Sequence, residues 1–189
     1  MTTAVHSPGK TERRTATGTD SSHSADEHAP HAAAVAALLH RISGGLNNAA
    51  MAFELAMGAQ DEAQRGATDR VLGAGLAGVQ QAARGIALLN ELLSPGSTPP
   101  ATDTMAHLTD VIDILRSRAS MRTVALNVVG APVAGDDGIT TPALAVASLL
   151  EGLSALEHTL PGSSLPLEMS QTPAGPQLRI ASTAKDARK

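Results

Sequence analysis

The sequence predicts an α+β fold in which a long helical hairpin, half of a dimeric four-helix bundle, precedes a small α/β layer. Three observations carry that prediction. Val35, Leu39, Ile42, Leu46, Ala49, Phe53 and Ala56 recur at spacings of four and three, and Leu72, Leu76, Val79, Ala83 and Ile86 repeat the pattern. This is the seam of helices packed nearly parallel to one another. Beyond Ser94-Pro95-Gly96 the periodicity changes, and helical stretches alternate with short runs of β-branched and aliphatic residues. Finally, Phe53 is the only aromatic in 189 residues, so the core must be built from Ala, Leu, Val, Ile and Met.

Residues 1–29 are rich in Thr, Ser, His and charge and have almost nothing apolar to bury. Such a composition does not offset chain entropy, and a disordered tail is expected. His6, His23, His28 and His31, with Asp26 and Glu27, make a weak set of divalent-metal ligands; a solvated polar tail is the preferred reading. The hairpin occupies residues 30–94. Its first helix runs from His31 to Gly58, and the polar stretch through Thr68 turns the chain. A second helix extends from there to Leu93, where Ser94-Pro95-Gly96 stops it.

Residues 95–102 read as a linker and 103–183 as the second domain. A helix from Thr104 to Ala119 places Met105, Leu108, Val111, Ile112 and Leu115 on one face. Arg122 to Val129 reads as a strand and Gly135-Asp136-Asp137-Gly138 as a turn. Pro142 opens a helix reaching Thr159, because proline suits a first helical position. Leu165–Met169 and Gln177–Ile180 alternate as strands around a loop with Pro173 and Gly175. Two helices on a sheet of three or slightly more strands result. Residues 184–189 are expected to fray.

A formal net charge of −4 and the lack of stacking aromatics argue against a nucleic-acid partner. With no cysteine there are no disulfides or thiolate metal sites. No apolar run approaches the roughly 20 residues that span a bilayer, and the polar N-terminus does not read as a secretory signal. A cytoplasmic protein without a membrane partner is expected.

A two-helix hairpin with heptad seams must cover its apolar stripe. Either it packs on its own C-terminal half, or a second copy completes a four-helix bundle; the homodimer is the preferred reading.

Chemistry concentrates in Leu38-Leu39-His40-Arg41-Ile42-Ser43-Gly44-Gly45-Leu46-Asn47-Asn48. His40 directly follows the seam residue Leu39 and lies off the a/d seam, so it should face solvent. His107 and His158 have no spacing partner and read as surface residues.

The order of elements and this motif resemble the catalytic core of bacterial sensor histidine kinases, a phosphoacceptor hairpin followed by an ATP-binding α/β domain. His40, Ile42, Leu46 and Asn47 match the family's motif. Gly45 stands where proline is usual, and both residues soften a helix, Gly by about 1 kcal/mol relative to Ala. Arg41 replaces the acidic residue that assists the kinase reaction, and Gly44 the Thr or Asn used in phosphatase chemistry. Leu149 to His158 resembles the helix bearing the magnesium-binding asparagine, with Ser154 at that position. After Ile180 the family's Asp-x-Gly-x-Gly is replaced by Ala181-Ser182-Thr183-Ala184-Lys185-Asp186. No glycine-rich phosphate loop occurs elsewhere.

The resemblance therefore implies a degenerate, histidine-kinase-ATPase-like sandwich without ATP. It points to the dimeric histidine phosphotransferases of two-component phosphorelays. In that reading His40 is the nucleophile, Arg41 attracts phosphate oxygens, and Asn47 and Asn48 hydrogen-bond near a docked response-regulator receiver domain. No cofactor is expected on this chain, and the Mg2+ comes with the receiver. Two alternatives stand beside it: a non-catalytic pseudokinase adaptor, and a substrate subunit phosphorylated at His40 by a separate kinase.

Overall fold

A computed structural model describes residues 22–58, 65–97, 105–130, 141–173 and 175–181. The chain runs α1 (Ser22–Gly58), α2 (Arg65–Leu93), α3 (Ala106–Met121), β1 (Ala125–Val129), α4 (Pro142–His158), β2 (Ser164–Thr172) and β3 (Gly175–Ile180). It is mostly helical, with one small mixed sheet, and so belongs to the α+β class. The segment Gly135–Gly138 and residues 184–189 lie outside the described residues. The backbone of α1 begins at Ser22 and carries Pro30 inside it, so the helix reaches back into the stretch expected to be a disordered tail. Alanines, the best helix formers, dominate its residues 32–37.

α1 and α2 pack along a line of small residues. Ala49, Ala52 and Ala82 are buried there. A Cβ added to Gly45 would lie 2.5 Å from the carbonyl oxygen of Gly78, and one added to Gly78 would lie 2.5 Å from that of Gly45. The backbones meet directly, and no side chain fits between them. Gly45, expected to soften the helix beside His40, is instead a packing residue.

The expected seam is corrected in the same way. Leu39, Leu46 and Phe53 are about half exposed, as are Leu72, Leu76, Val79 and Ile86 on α2. They sit roughly a quarter turn past the glycine line on each helix. Because the helices are antiparallel, that displacement carries both rows to the same side of the hairpin.

The opposite side packs on the C-terminal layer. Leu38 and Leu88 from the hairpin join Leu108, Val111 and Leu115 of α3 in the core. Leu149, Leu153 and Leu156 of α4, with Leu165, Leu167 and Leu178 of the sheet, complete the same cluster. Hairpin and sheet thus share one core.

α4 starts as its sequence implies: the Thr141 hydroxyl accepts from the Leu144 amide at 3.3 Å, and Pro142 occupies the first turn. The helix carries the chain from β1 to the parallel β2, with Leu126 opposite Leu165 and Val128 opposite Leu167. β3 returns antiparallel, Met169 facing Leu178. The outer edge of β3 is covered by α4. The Leu178 amide donates to the Ser148 hydroxyl at 3.2 Å and the Ile180 amide to Glu151 Oε1 at 3.3 Å. At the end of α2, Gly96 takes a positive φ, and its amide donates to Glu91 Oε1 at 2.8 Å.

Among the described residues no helix is long and apolar enough to cross a membrane.

Candidate functional site

α1 passes across α3, and the two helices form the walls of a cleft of about 460 Å³. The α1 wall presents Ala36, Ala37, His40, Arg41 and Gly44, residues that share one face because they recur at three and four. Asp113, Ile114, Ser117, Arg118 and Met121 form the α3 wall, and Gln81 of α2 reaches in between. His40 is exposed at this cleft. It lies about 100° around the helix from Leu39, so the imidazole faces away from the apolar row while remaining on the same rigid helix.

An ion network fixes the helix beside it. Asp110 of α3 is buried, its side chain 2% exposed. Its Oδ1 accepts from Arg41 Nη2 and, at 3.1 Å, from Arg41 Nε; its Oδ2 accepts from Arg84 Nε at 2.7 Å. Arg41 Nη2 also reaches Asp113 Oδ2 at 3.2 Å. One carboxylate therefore joins α1, α2 and α3. A buried carboxylate is tolerated only when its lone pairs are met by such donors. Arg41 was expected to attract phosphate oxygens, but its guanidinium serves this network and holds α1 one residue from His40.

Asn47 and Asn48 stand exposed two turns further along α1, outside the cleft. Ser154 is half-buried on α4 and does not line it either. His107, expected at the surface, is 3% exposed and packs inward on the buried face of α3. His158 is exposed as expected. The side chains of His6, His23 and His28 lie outside the described residues; His31 is exposed on α1. Among the described residues no group of three or more His, Asp or Glu is placed to hold a metal ion.

Sequence reasoning missed Asp110, Arg84, Ser117 and Arg118. Asp110 had a detectable signal. It is three residues after His107 and four before Ile114, in the middle of a buried helical face, where a carboxylate requires a cationic partner. Arg118 had none, because its relation to His40 depends on how α3 crosses α1.

The chain matches no protein-family model, no curated protein and no solved structure in these comparisons.

Proposed function

We propose that this protein is a histidine phosphotransferase of a two-component phosphorelay, passing a phosphoryl group between His40 and receiver-domain aspartates without using ATP. The observation that carries the reading is the exposed imidazole of His40 at the mouth of a cleft, on a helix braced by the Arg41–Asp110–Arg84 network. In the transfer, a lone pair on a neutral imidazole nitrogen attacks phosphorus. The bond from phosphorus to the aspartyl oxygen breaks, and the carboxylate leaves with its electron pair. The proton on the other ring nitrogen is then released to water or retained. The receiver supplies Mg2+ and its own acidic pocket, so this chain needs to provide little more than a positioned nucleophile.

The second part of the reading is a homodimer. The apolar rows on α1 and α2 face one side of the hairpin, and monomers seldom leave so long an apolar surface uncovered. A second copy packed there completes a four-helix bundle and leaves both His40 side chains outside the interface. The proposed setting is the cytoplasm, where receiver domains are phosphorylated.

The test is phosphate transfer from a panel of phosphorylated receiver domains. At least one should deposit an acid-labile phosphate on the protein, and His40→Ala should abolish labelling while leaving the fold intact. Receiver binding that survives His40→Ala with no phosphoramidate formed would replace this reading with the adaptor. Labelling by ATP only in the presence of a second protein would make the chain a kinase substrate.

A further inference from the structure

We propose that Arg118, with Ser117, forms an oxyanion subsite across the cleft from His40 that takes the oxygens of a phosphoryl group. The inference begins with a balance of charge. Four arginines, Arg41, Arg84, Arg116 and Arg118, lie on or beside the cleft, and two carboxylates answer them. Arg41 and Arg84 share Asp110, while Arg41 and Arg116 share Asp113, the latter at 3.8 Å. Arg118 has no carboxylate partner among the described residues, and it lines the same cleft as His40. Ser117 is exposed one residue earlier on that wall.

The ligand class follows from the donors. A guanidinium presents a planar fork of N–H groups that matches the oxygens of a phosphate, and the hydroxyl adds one more donor. Asp113, the acidic group that would repel an anion in the cleft, is neutralised by Arg41 and Arg116. The four arginines outnumber the two carboxylates, and Arg118 is the one whose charge no carboxylate among the described residues answers. The subsite rests on the carrier reading for the identity of its anion, the phosphoryl group on His40; phosphate binding itself needs no transfer. A purely structural role is the competing account: Arg118 lies in the last turn of α3, where a cation complements the helix dipole.

The experiment separates these. Inorganic phosphate is titrated into the full-length protein at constant ionic strength, and the ring resonances of His40 are followed by NMR with ring-labelled histidine. Wild type should show a saturable shift. Arg118→Gln should weaken phosphate binding by about tenfold or more, as loss of a charge-assisted donor implies. Arg118→Lys should fall between the two, and Ser117→Ala should give a smaller loss. Thermal melts of each variant check folding. No saturable shift in wild type, or the same affinity in Arg118→Gln, overturns the subsite; a change in melting temperature with unchanged affinity assigns Arg118 to the helix end alone.

Receiver-driven labelling is the second arm. If no receiver labels His40 while phosphate still acts through Arg118, the carrier reading fails and the subsite stands as a site for another phosphate-bearing ligand. If His40 is labelled and phosphate ignores Arg118, the subsite fails and the carrier reading stands.

Discussion

The two sides of the α1–α2 hairpin are built from different material. Toward α3 and α4, Leu38 and Leu88 are fully buried, and Arg41 and Arg84 converge on the buried Asp110. On the other side Leu46 is 51% and Phe53 57% exposed, with Leu76 and Val79 beside them on α2. Between the sides runs a line of glycine and alanine. The hairpin therefore closes mainly on its smallest residues, with Ile42 seated against Gly85 as the large apolar exception. A helix can thus carry three surfaces at once: one for its neighbour in the hairpin, one for the rest of the chain, and one left for a partner.

The largest effect is expected on the open side. On the proposed dimer, Leu46→Glu with Leu76→Glu places charge in the interface, and twofold symmetry repeats each change. Dissociation should strengthen by about a hundredfold or more. Sedimentation should fall from twice the 19.1 kDa chain mass to the monomer, with helical circular dichroism retained. A wild type that sediments as a monomer at micromolar concentration would remove the distinction between an interface and an ordinary exposed face.

The clamped side should respond differently. Asp110→Ala leaves two arginines facing an emptied, buried position. It should cost about 3 kcal/mol in urea unfolding, and the dimer should persist wherever the variant remains folded. The middle line gives the next effect. Gly45→Ala drives a methyl against the Gly78 carbonyl, so the helices must separate, and a loss of about 2 kcal/mol is expected. Its neighbour sharpens the contrast. A Cβ on Gly44 meets nothing within 4 Å, so Gly44→Ala should be neutral or stabilising by up to about 1 kcal/mol in the same measurement.

Local signals carried most of the fold. Pro142 marks the start of α4, Ser94-Pro95-Gly96 follows the end of α2, and alternation in Leu165–Met169 falls within β2. These signals act through a few neighbouring residues and are visible in a linear chain. What the sequence did not reveal was which residues of a wide stripe meet which neighbour. Leu39 and Leu46 have the right spacing for a seam, yet Gly45 and Gly78 allow a closer approach that rotates them outward. His40 was legible as an exposed imidazole because it follows the row of Leu39. The rest of its cleft comes from a helix about 70 residues later, joined through Asp110. His107 shows the reverse error, since a lone polar residue on an apolar helix carries no mark of whether the next layer covers it.

The direct meeting of the Gly45 and Gly78 backbones has a mechanical consequence. For α1 to turn about its own axis by a single residue, Leu46 or a neighbouring position would have to enter a gap too narrow for even a methyl group. Rotation at that point is blocked because Leu46 beside Gly45, and Ala77 and Val79 beside Gly78, carry side chains that the gap cannot admit. Motion that reaches His40 must therefore come from bending or sliding of the whole hairpin, or from the docking partner, and not from torque carried along one helix.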